Sequence, residues 1–362
     1  MKTIYVVGAG ISGCAVARKL AEAGFKVEVF ESRDIIGGNC SDYKDENGIM
    51  IHHYGPHIFH TNSEEANDFM TKFANSKYDY VHKVVNEDGI CIPYNLSNIR
   101  DKELKCLMTQ YFGSYDSVPI HELINHWDER IARLGKKIYE ACYMVYSSKQ
   151  WGDYTNNEAL KRVKVRLNSD DRYFVDKYQW IPDSYSVLLC NMLYHENISI
   201  HLGYKFNFDF CPENAYVIYT GKLDELFNYK LGKLSYITTD IVLRHYEKDS
   251  FQSHAVVNYT HSANFTRITE YKKFMNDSSD CEGTTVSYEY PREADDEDVP
   301  MYVINDGYNN RLYDMYLNEL KSHSDHFWLL GRLAEYKYYD MDKALLRAFE
   351  VASEVIEKVG IE

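Results

Sequence analysis

Residues 2–31, which read KTIYVVGAGISGCAVARKLAEAGFKVEVFE, decide the fold class of this chain. The hydrophobic pattern predicts a short strand over residues 2–7, a helix over 14–23 and a second, alternating strand over 26–31. A G-x-G-x-x-G fingerprint connects the first strand to the helix. Its glycines are Gly8, Gly10 and Gly13. Elements in this order predict a βαβ unit of a Rossmann-like α/β domain.

The surroundings of these glycines indicate a dinucleotide site. In such a turn the first glycine permits the tight bend, the second lets the backbone approach a pyrophosphate, and the third lets helix and strand pack closely. The helix that begins beside Ser12 presents free N–H groups and the positive end of its dipole to the anion. Glu31, at the end of the second strand, is suited to accept a hydrogen bond from a ribose hydroxyl. The alternative is a glycine-rich turn without a ligand.

Two further glycine-rich segments favour FAD over a nicotinamide cofactor. Arg33 lies just after the ribose-binding acid, and the pair Gly37-Gly38 with Asn39 follows it. FAD is longer than one βαβ unit, so its ribityl–flavin part needs a second close approach of the backbone. The segment LGRL at 330–333, which precedes a predicted helix, can close such a site. We therefore expect FAD as the cofactor.

The composition disfavours several classes of function. The chain has 362 residues, and Lys+Arg 40 against Asp+Glu 55 gives a formal net charge of −15. Such an acidic protein repels phosphate backbones, so nucleic acid and anionic membranes are not expected as partners. The longest apolar stretch, residues 5–17, is shorter than the roughly 20 residues of a membrane span. Eight scattered cysteines without a C-x-x-C motif, and a strand at the start in place of a secretory leader, predict free thiols in the cytoplasm.

Beyond residue 31, helical and strand patterns alternate. A mostly helical region is predicted over 102–146, with Gly113, Pro119 and Gly135 as breaks. Further helices are predicted over 63–73, 184–194, 306–320 and 341–358, and strands over 216–219, 237–246, 255–259, 284–290 and 327–330. The three strands between 237 and 290 are expected to be antiparallel. No linker separates the halves, so the second half is expected to return to the first domain.

Residues 52–61 (HHYGPHIFHT) form a histidine cluster with two interpretations. His57 and His60 are three residues apart, a spacing that a metal site could use. However, no nearby set of Cys, Asp or Glu completes a tetrahedral site, and Gly-Pro breaks any helix that would align the imidazoles. We favour contact with the flavin edge, where histidine can hydrogen-bond the ring system, and we expect no metal.

Several segments together resemble the bacterial UDP-galactopyranose mutases, in the order and roughly the spacing of that family. They are GPHIFHT (55–61), KQWG (149–152), YTGKLD (219–224), FTRITE (265–270) and GRLAEYKYYDM (331–341). The last segment, which follows a predicted strand, is very specific, whereas KQWG alone is not. With the glycine fingerprint, the resemblance spans nearly the whole chain.

The resemblance implies an isomerase that interconverts UDP-galactopyranose and UDP-galactofuranose without net redox change. In this family N5 of reduced FAD bonds to the anomeric carbon, UDP leaves, and the sugar ring opens and recloses on a covalent flavin–sugar intermediate. The implied fold is α/β, with a discontinuous Rossmann-like FAD-binding domain, an inserted helical domain and an antiparallel β-sheet domain. Their expected bounds are 1–79, 183–240 and 307–362 for the FAD-binding domain, 98–163 for the helical domain with its mobile loop, and 80–97, 164–182 and 241–306 for the substrate domain.

The resemblance also assigns the charged residues of the site. Arg162 sits where the family's mobile-loop arginine contacts the diphosphate, and Arg166 is the fallback if the loop is shifted. Arg267 matches the second arginine of that clamp. Two guanidinium groups on one diphosphate would stabilise the departing negative charge. His60 matches the histidine beside the flavin, and His57 is expected near the cofactor.

The remaining matched residues bind substrate or cofactor. Tyr173 and Phe174 match the pair that holds uridine. The other expected substrate-binding residues are Tyr146, Trp151, Asn258, Tyr302 and Tyr338. The expected cofactor-binding residues are Gly8, Gly10, Ser12, Gly13, Glu31, Arg33, Gly38, Asn39, His57, Ile58, Arg332, Asp340 and Met341. Further expected partners are NAD(P)H or a flavin reductase as reductant, and a second copy in a homodimer.

Three residues depart from the family. Trp180 and Asp183 replace residues that are normally glycine or compact, beside the uridine-binding region, and Cys142 stands where some members are aromatic. We interpret Asp183-Ser184 as a helix N-cap. A reshaped pocket that accepts another nucleotide sugar is the competing interpretation. Two rival functions also stay open, namely a flavin oxidoreductase of the amine-oxidase-like group and a non-catalytic nucleotide-sugar sensor.

Overall fold

A computed structural model describes residues 2–113, 115–152, 163–208, 212, 214–323 and 326–361. Its strands are β1 Thr3–Val7, β2 Lys26–Phe30, β3 Asp42–Lys44, β4 Met50–His52, β5 Phe59–Thr61, β6 Lys77–Asp79, β7 Val84–Asn86, β8 Cys91–Ile92, β9 Ser117–Pro119, β10 Lys164–Arg166, β11 Tyr178–Pro182, β12 Ile198–His201, β13 Tyr216–Tyr219, β14 Tyr236–Tyr246, β15 Val256–Asn258, β16 Arg267–Glu270, β17 Thr284–Glu293, β18 Tyr302–Val303 and β19 Phe327–Leu329. Its α-helices are α1 Ile11–Glu22, α2 Glu64–Phe73, α3 Lys102–Phe112, α4 Ile120–Ile124, α5 Glu129–Tyr139, α6 Val145–Trp151, α7 Tyr185–Leu193, α8 Leu223–Leu226, α9 Gly307–His323 and α10 Met341–Ile361.

A five-stranded parallel sheet confirms the predicted Rossmann-like part of the fold. Its order is β12-β2-β1-β13-β19, so strands from the second half of the chain flank the N-terminal βαβ unit on both sides. Helix α1 covers the sheet and packs against α7 and α10. The inward side chains of β1 and β2, among them Ile4, Val6 and Val27, have no exposed surface. The second half therefore returns to the first domain, as expected.

The glycine-rich turn after β1 has room for backbone only. Gly8 has φ +103°, in the left-handed region, and a Cβ there would lie 2.0 Å from Oγ1 of Thr220. A Cβ on Gly13 would lie 1.9 Å from the carbonyl oxygen of Gly8. Helix α1 begins at Ile11, three residues before the predicted start, so Gly13 belongs to its first turn. The third glycine thus brings helix and strand into contact, as the fingerprint requires.

A seven-stranded mixed sheet forms the second layer. Its order is β18-β14-β17-β16-β15-β7-β8, and β14 pairs with β17 over ten residues. The strands predicted over 237–246, 255–259 and 284–290 all belong to this sheet. The expectation of antiparallel pairing holds for β14 and β17, which pair with each other, whereas β15 pairs antiparallel with β16, a strand that was not predicted, and in parallel with β7. The parallel pair arises because β7 comes from a distant segment whose direction no hairpin fixes.

Helices α3 to α6 form a helical region between β8 and β10. The prediction that Gly135 breaks a helix is wrong, because this residue lies inside α5. A Cβ on Gly135 would lie 2.7 Å from Cβ of Leu123, so the missing side chain lets α4 approach α5 closely. A π-helical turn, Glu140–Met144, joins α5 to α6. None of the described helices is long and apolar enough to cross a membrane.

Candidate active site

The first cavity, of about 400 Å³, lies over the carboxyl ends of β1, β2 and β13. Eleven of the thirteen residues predicted to bind the cofactor line it, and Tyr204 and Phe206, which the sequence did not indicate, extend it beside Phe30. The eleven are Gly8, Gly10, Ser12, Gly13, Glu31, Arg33, Gly38, Asn39, His57, Arg332 and Met341. Ligands of open parallel sheets bind at this edge, where the strand order reverses.

Backbone from three distant segments converges on this cavity. A Cβ on Gly38, which has φ +56°, would lie 2.8 Å from Cα of Gly10. A Cβ on Gly331, which has φ +90°, would lie 3.1 Å from Oγ of Ser12. These approaches leave no room for side chains at the points where the three segments meet. The residues present therefore fit a long dinucleotide that touches the chain at its start and near its end.

The Glu31 carboxylate is already organised at the end of β2. Its Oε2 accepts a hydrogen bond from the Ala9 amide at 2.8 Å, and its Oε1 accepts from the Arg33 amide at 2.9 Å. The side chain is buried. The Arg33 guanidinium in turn donates to Oδ1 of Asn39 at 3.2 Å. This network links Glu31, the acid predicted to bind a ribose hydroxyl, to the second glycine segment, which the sequence placed at the same site.

A second cavity of about 370 Å³ adjoins the first. Asn39, His57, Arg332 and Met341 line both cavities, so a group bound in one is exposed to the other. Besides these four, ten residues that the resemblance assigned to the site line the second cavity: Ile58, His60, Tyr146, Tyr173, Phe174, Asn258, Arg267, Tyr302, Tyr338 and Asp340. They come from six segments of the chain, namely 58–60, 146, 173–174, the hairpin 258–267, 302 and 338–340.

Arg267, on β16, provides a positive charge to the second cavity. Its Nε donates a hydrogen bond to Oε2 of Glu289 at 2.6 Å, and Oε1 of Glu289 accepts from Thr269 at 3.0 Å. Burial alone would lower the pKa of Arg267, but the Glu289 carboxylate raises it above the usual arginine value. A guanidinium has five N–H donors. The bond to Glu289 uses one, and the donors on Nη1 and Nη2 have no hydrogen-bond partner within the described residues.

Aromatic rings form one wall of the second cavity. The His60 imidazole stacks on Phe174 with ring centroids 3.6 Å apart. Its Nδ1 is hydrogen-bonded to Oδ2 of Asp176, 2.8 Å away. Tyr173 meets Phe174 edge to face at 4.9 Å. Burial raises the pKa of Tyr146 and Tyr173, so both hydroxyl groups are protonated donors at neutral pH. Flat rings beside phenolic donors suit a base and a phosphate.

Arg332 organises the wall shared by the two cavities. Its guanidinium donates to the carbonyl oxygens of Met301 at 2.7 Å and Tyr339 at 2.6 Å. The guanidinium carbon also lies 4.6 Å from the ring centroid of Tyr338 and 5.5 Å from that of Tyr302. This cation–π contact fixes both tyrosines beside the cavity.

Two imidazoles that line the second cavity, those of His57 and His82, are neutral. Burial, with a smaller contribution from charge on His52 and Arg332, lowers the pKa of His57 to about 3. Its Nδ1 lies 2.8 Å from the carbonyl oxygen of Gly55, so Nδ1 carries the proton and Nε2 is an acceptor. Burial also lowers the pKa of His82 to about 3, and its Nδ1 has no hydrogen-bond partner among the described residues.

His82 was not predicted as a site residue, although the sequence carries a pattern that indicates it. The run YDYVHKVV at 78–85 alternates, and this alternation places His82 on the same face as Val84, which also lines the cavity. No described group of three or more His, Cys, Asp or Glu side chains is arranged to hold a metal ion. The rings of His60 and His82 pack against Phe174.

Some predicted site residues do not line either cavity. The Trp151 ring lies behind Tyr302, with centroids 5.5 Å apart. The Arg166 guanidinium is committed to backbone carbonyls, among them that of Tyr173 at 2.7 Å, so it orients the Tyr173 segment. Ile58 and Asp340, which were predicted to bind the cofactor, line the second cavity and not the first. Arg162 lies outside the described residues.

The departures from the family lie outside both cavities. Trp180 is buried in the small sheet β5-β11-β6, where its Nε1 donates to Oδ1 of Asn67 at 3.0 Å. Ser184 caps α7, since its hydroxyl accepts from the Val187 amide at 3.1 Å, and this confirms the N-cap interpretation. Cys142 is buried in the π-helical turn. These substitutions therefore adjust packing rather than the cavity surface.

Known sugar mutases are similar to this chain over nearly its whole length. Residues 141–338 match the GLF family, described as UDP-galactopyranose mutase, and residues 6–73 match an NAD(P)-binding Rossmann-like domain. The chain is 36% identical to a Klebsiella pneumoniae protein named "Probable UDP-galactopyranose mutase", over 99% of this chain and 96% of that protein. It is 33% identical to the dTDP-fucopyranose mutase of Escherichia coli, over 97% of this chain and 98% of that one.

Structural comparison agrees with these matches. A crystal structure of reduced UDP-galactopyranose mutase aligns with 100% of this chain and 94% of its own, with a TM-score of 0.70. At 15% identity, that likeness shows the fold alone. The family match covers more than half of the chain, and the named relatives exceed 30% identity over nearly full length. The chain therefore belongs to the UDP-galactopyranose mutase family of isomerases.

Proposed function

We propose that this protein interconverts the pyranose and furanose forms of a nucleotide-bound sugar, with UDP-galactose as the first candidate substrate. One observation carries the proposal: a dinucleotide cavity opens onto a second cavity that presents Arg267, phenolic donors and stacked rings. A diphosphate needs cations and donors, and a nucleobase needs a flat surface. Family membership supports the same reaction.

FAD is the proposed cofactor. Glu31 would accept from the adenosine ribose, and the N–H groups at the start of α1 would bind the pyrophosphate. Gly38, Asn39, Gly331 and Arg332 would hold the part nearest the second cavity. When bound in its reduced form, FAD supplies a nucleophilic nitrogen to the anomeric carbon and undergoes no net oxidation over the cycle.

The residues of the chain bind and polarise the substrate. Arg267 would hold the diphosphate through its free donors, together with Arg162 of the segment outside the described residues. The charge on the leaving diphosphate grows as the sugar–oxygen bond breaks, so this contact is strongest in the transition state. Tyr146 and Tyr338 would add hydroxyl donors to the same group. The aromatic pair at Tyr173 and Phe174 would hold the base.

The histidines of the second cavity would contact sugar and cofactor, and the two neutral ones, His57 and His82, would add no charge. His57 presents Nε2 as an acceptor beside the shared wall, and His60 is held by Phe174 and Asp176. His82 also lines the second cavity, but its unpartnered Nδ1 is buried in the described structure, so a sugar hydroxyl would reach that atom only if the ring moved. Unpaired polar atoms in a buried site discriminate strongly between ligands that satisfy them and ligands that do not.

A second candidate substrate is dTDP-fucose. The 33% identity to a dTDP-fucopyranose mutase is close to the 36% identity to the UDP-galactose relative. Both candidates require the same cofactor and diphosphate contacts and differ in the base and in the sugar. The cavity residues described above do not distinguish them by charge. Turnover of the two sugars by the same protein distinguishes them.

The test uses FAD-loaded protein reduced with dithionite. We expect chromatography to show conversion of UDP-galactofuranose, or of dTDP-fucofuranose, to the pyranose form without consumption of reductant. Stoichiometric oxidation of substrate would instead indicate a flavin oxidoreductase of the amine-oxidase-like type. Binding of UDP without turnover of either sugar would indicate a sensor. Equal rates with oxidised FAD would refute the proposed use of the cofactor.

We also propose the cellular setting that the sequence predicted. The seven cysteines within the described residues are free thiols, which supports a cytoplasmic location. NAD(P)H or a flavin reductase is the proposed source of electrons, and a homodimer is the proposed assembly. Light scattering of the holoenzyme tests the assembly. Reduction of the bound flavin by NADPH under anaerobic conditions tests the electron donor.

A further inference from the structure

One ammonium group contacts the loop between β15 and β16, residues 259–266, at several carbonyl oxygens. Lys149 of α6 points its Nζ at four carbonyl oxygens of this loop, at 2.6 to 3.4 Å. They belong to Tyr259, His261, Ala263 and Phe265. An ammonium has three N–H donors, so three carbonyls within 3.0 Å use them all and that of His261, at 3.4 Å, is the weakest contact.

A carboxylate holds the same loop from the other side. Both oxygens of Glu87 accept from the Thr260 amide, at 2.7 and 3.0 Å, and Oε1 also accepts from the His261 amide at 2.8 Å. The peptide groups of the loop therefore lie between an anion, which takes their N–H groups, and a cation, which takes their carbonyls. We call residues 259–266 with Lys149 and Glu87 the charge-held loop.

The charge on Lys149 is retained in this setting. Burial lowers the pKa of Lys149, and the Glu87 carboxylate opposes that shift. The ammonium has left part of its water shell, and the carbonyl oxygens replace that shell. Without the ammonium, four carbonyl groups that converge on one point would repel one another and lose their donor.

The charge-held loop connects the two sides of the second cavity. Asn258 precedes the loop and Arg267 follows it, they are paired in the β15–β16 register, and both line the cavity. Lys149 lies on α6, one turn after Tyr146. Tyr146 also lines the second cavity. The ammonium therefore fixes the helix that carries Tyr146 to the hairpin that carries Asn258 and Arg267.

We propose that Lys149 is a positioning residue for the substrate cavity. By holding the charge-held loop it sets the position of Asn258 and Arg267 relative to Tyr146. It reaches the substrate only through these residues. This inference rests on the proposed function in one respect, since it assumes that the second cavity binds the nucleotide diphosphate.

The test compares Lys149→Ala with wild type and with a control variant, Lys72→Ala. Lys72 is an exposed lysine of α2 that pairs with Glu22 of α1, and it lies far from the loop in the sequence. The alanine variant lacks a propylammonium group. We expect Lys149→Ala to lose roughly tenfold to a hundredfold in kcat/KM with unchanged FAD content, since small displacements of binding groups have effects of this size. We expect n-propylammonium chloride to restore part of the loss. Tetramethylammonium chloride, which has no N–H donor, should restore none.

A measurement without substrate separates this proposal from the proposed function. We expect the peptide that covers 258–267 to exchange its amide hydrogens faster in Lys149→Ala than in wild type, and n-propylammonium to slow that exchange. Wild-type protein that converts neither sugar would refute the proposed function, whereas the exchange result would still decide the role of Lys149. If Lys149→Ala does not yield folded holoenzyme, Lys149→Arg is measured instead, because a planar guanidinium cannot converge on four carbonyls.

Three results would overturn the proposal. The first is kcat/KM within twofold of wild type in the variant, with unchanged exchange of the loop. The second is rescue by tetramethylammonium equal to that by n-propylammonium, which would indicate an ionic-strength effect. The third is the same loss of activity in Lys72→Ala.

Discussion

The pair formed by Arg267 and Glu289 allows binding of the substrate to be separated from stability of the fold. The two side chains join at 2.6 Å, and the carboxylate keeps only 2% of its side-chain surface exposed. Arg267 is 23% exposed, toward the second cavity. We consider Arg267→Met, Glu289→Gln and the double variant. Methionine retains the unbranched stem of the side chain out to about the position of Nε, without the charged guanidinium.

The structure gives the expected magnitudes. Among the described residues, Arg267→Met leaves the buried carboxylate with the Thr269 hydroxyl, at 3.0 Å, as its one hydrogen-bond donor. Breaking a buried pair from one side costs roughly 3–5 kcal/mol, and the partial exposure of Arg267 places the effect at about 2–3 kcal/mol. In the double variant the residual group is a neutral amide, so the loss should fall to about 1 kcal/mol.

Activity should follow a different order. The guanidinium is the group that would meet the diphosphate, so we expect kcat to fall by roughly 10²–10³-fold in Arg267→Met, the usual cost of removing a donor from a developing negative charge. The double variant should regain stability but no activity. Glu289→Gln, which retains the arginine, should lose no more than about tenfold, as expected when an oriented group loses one hydrogen bond.

Urea unfolding of the FAD-loaded variants and turnover of the reduced enzymes measure the two quantities. FAD content serves as the control, since Arg267 does not line the cofactor cavity. Recovery of activity in the double variant would refute the reasoning, because it would show that the loss reflects stability alone. A kcat within tenfold of wild type for Arg267→Met would remove the diphosphate contact from the proposed function.

Three further predictions concern the cofactor, the packing and pH. Glu31→Gln should weaken FAD binding about tenfold by loss of one charged acceptor, and titration of the apoprotein with FAD measures this; unchanged affinity would contradict the ribose contact. Trp180→Phe should lower stability by about 1 kcal/mol through loss of its bond to Asn67 and leave the preference between UDP and dTDP sugars unchanged; an altered preference in a substrate panel would contradict its placement. His57 and His82 have pKa values of about 3 when folded and about 6.5 when unfolded, so the unfolded chain binds more protons between these values. Stability should therefore fall as pH drops below about 6.5, by up to about 2 kcal/mol per histidine at pH 5, and equal unfolding free energies at pH 7 and 5 would refute this.

Local chemistry explains which parts of the fold the sequence could predict. The strand 216–219 is a short apolar run, and the structure has it at Tyr216–Tyr219. The glycine fingerprint predicted both the first βαβ unit and the direction of its strands. In contrast, β12 has mostly exposed side chains and becomes a strand because it pairs with β2. Pairing between distant segments leaves no periodicity in the sequence.

Gly135 illustrates the opposite error. A glycine lowers helix propensity by about 1 kcal/mol relative to alanine, so a break was the reasonable prediction. Tertiary packing reverses this preference, because α4 approaches α5 at the position where the side chain is missing. The sequence shows that the side chain is small, whereas the neighbour that requires it is visible only in the fold.

The two cavities differ in the same way. Spacing predicted the glycine fingerprint with Glu31 and the second glycine segment, whereas the resemblance assigned Arg332, Asp340 and Met341. The residues of the second cavity come from six segments, and only the resemblance to a family connected them. Trp151 and Arg166 were assigned by position in the chain, but packing directs them behind the cavity wall. His82 was missed because the connection between β6 and β7, where it lies, carries no motif.

The charges around the second cavity give its two arginines different tasks. The chain carries −15 in total, yet the charged side chains that line the described part of this cavity are Arg267, Arg332 and Asp340. At physiological ionic strength charges farther away than about 8 Å are largely screened, so a dianionic substrate responds mainly to these groups. Arg332 has already committed its two terminal nitrogens to backbone carbonyls, and its charge faces two tyrosine rings. Arg267 has committed only its Nε. It follows that Arg332 shapes the wall between cofactor and substrate, whereas anion binding by the described residues depends on Arg267 and on the charge-held loop that sets its position.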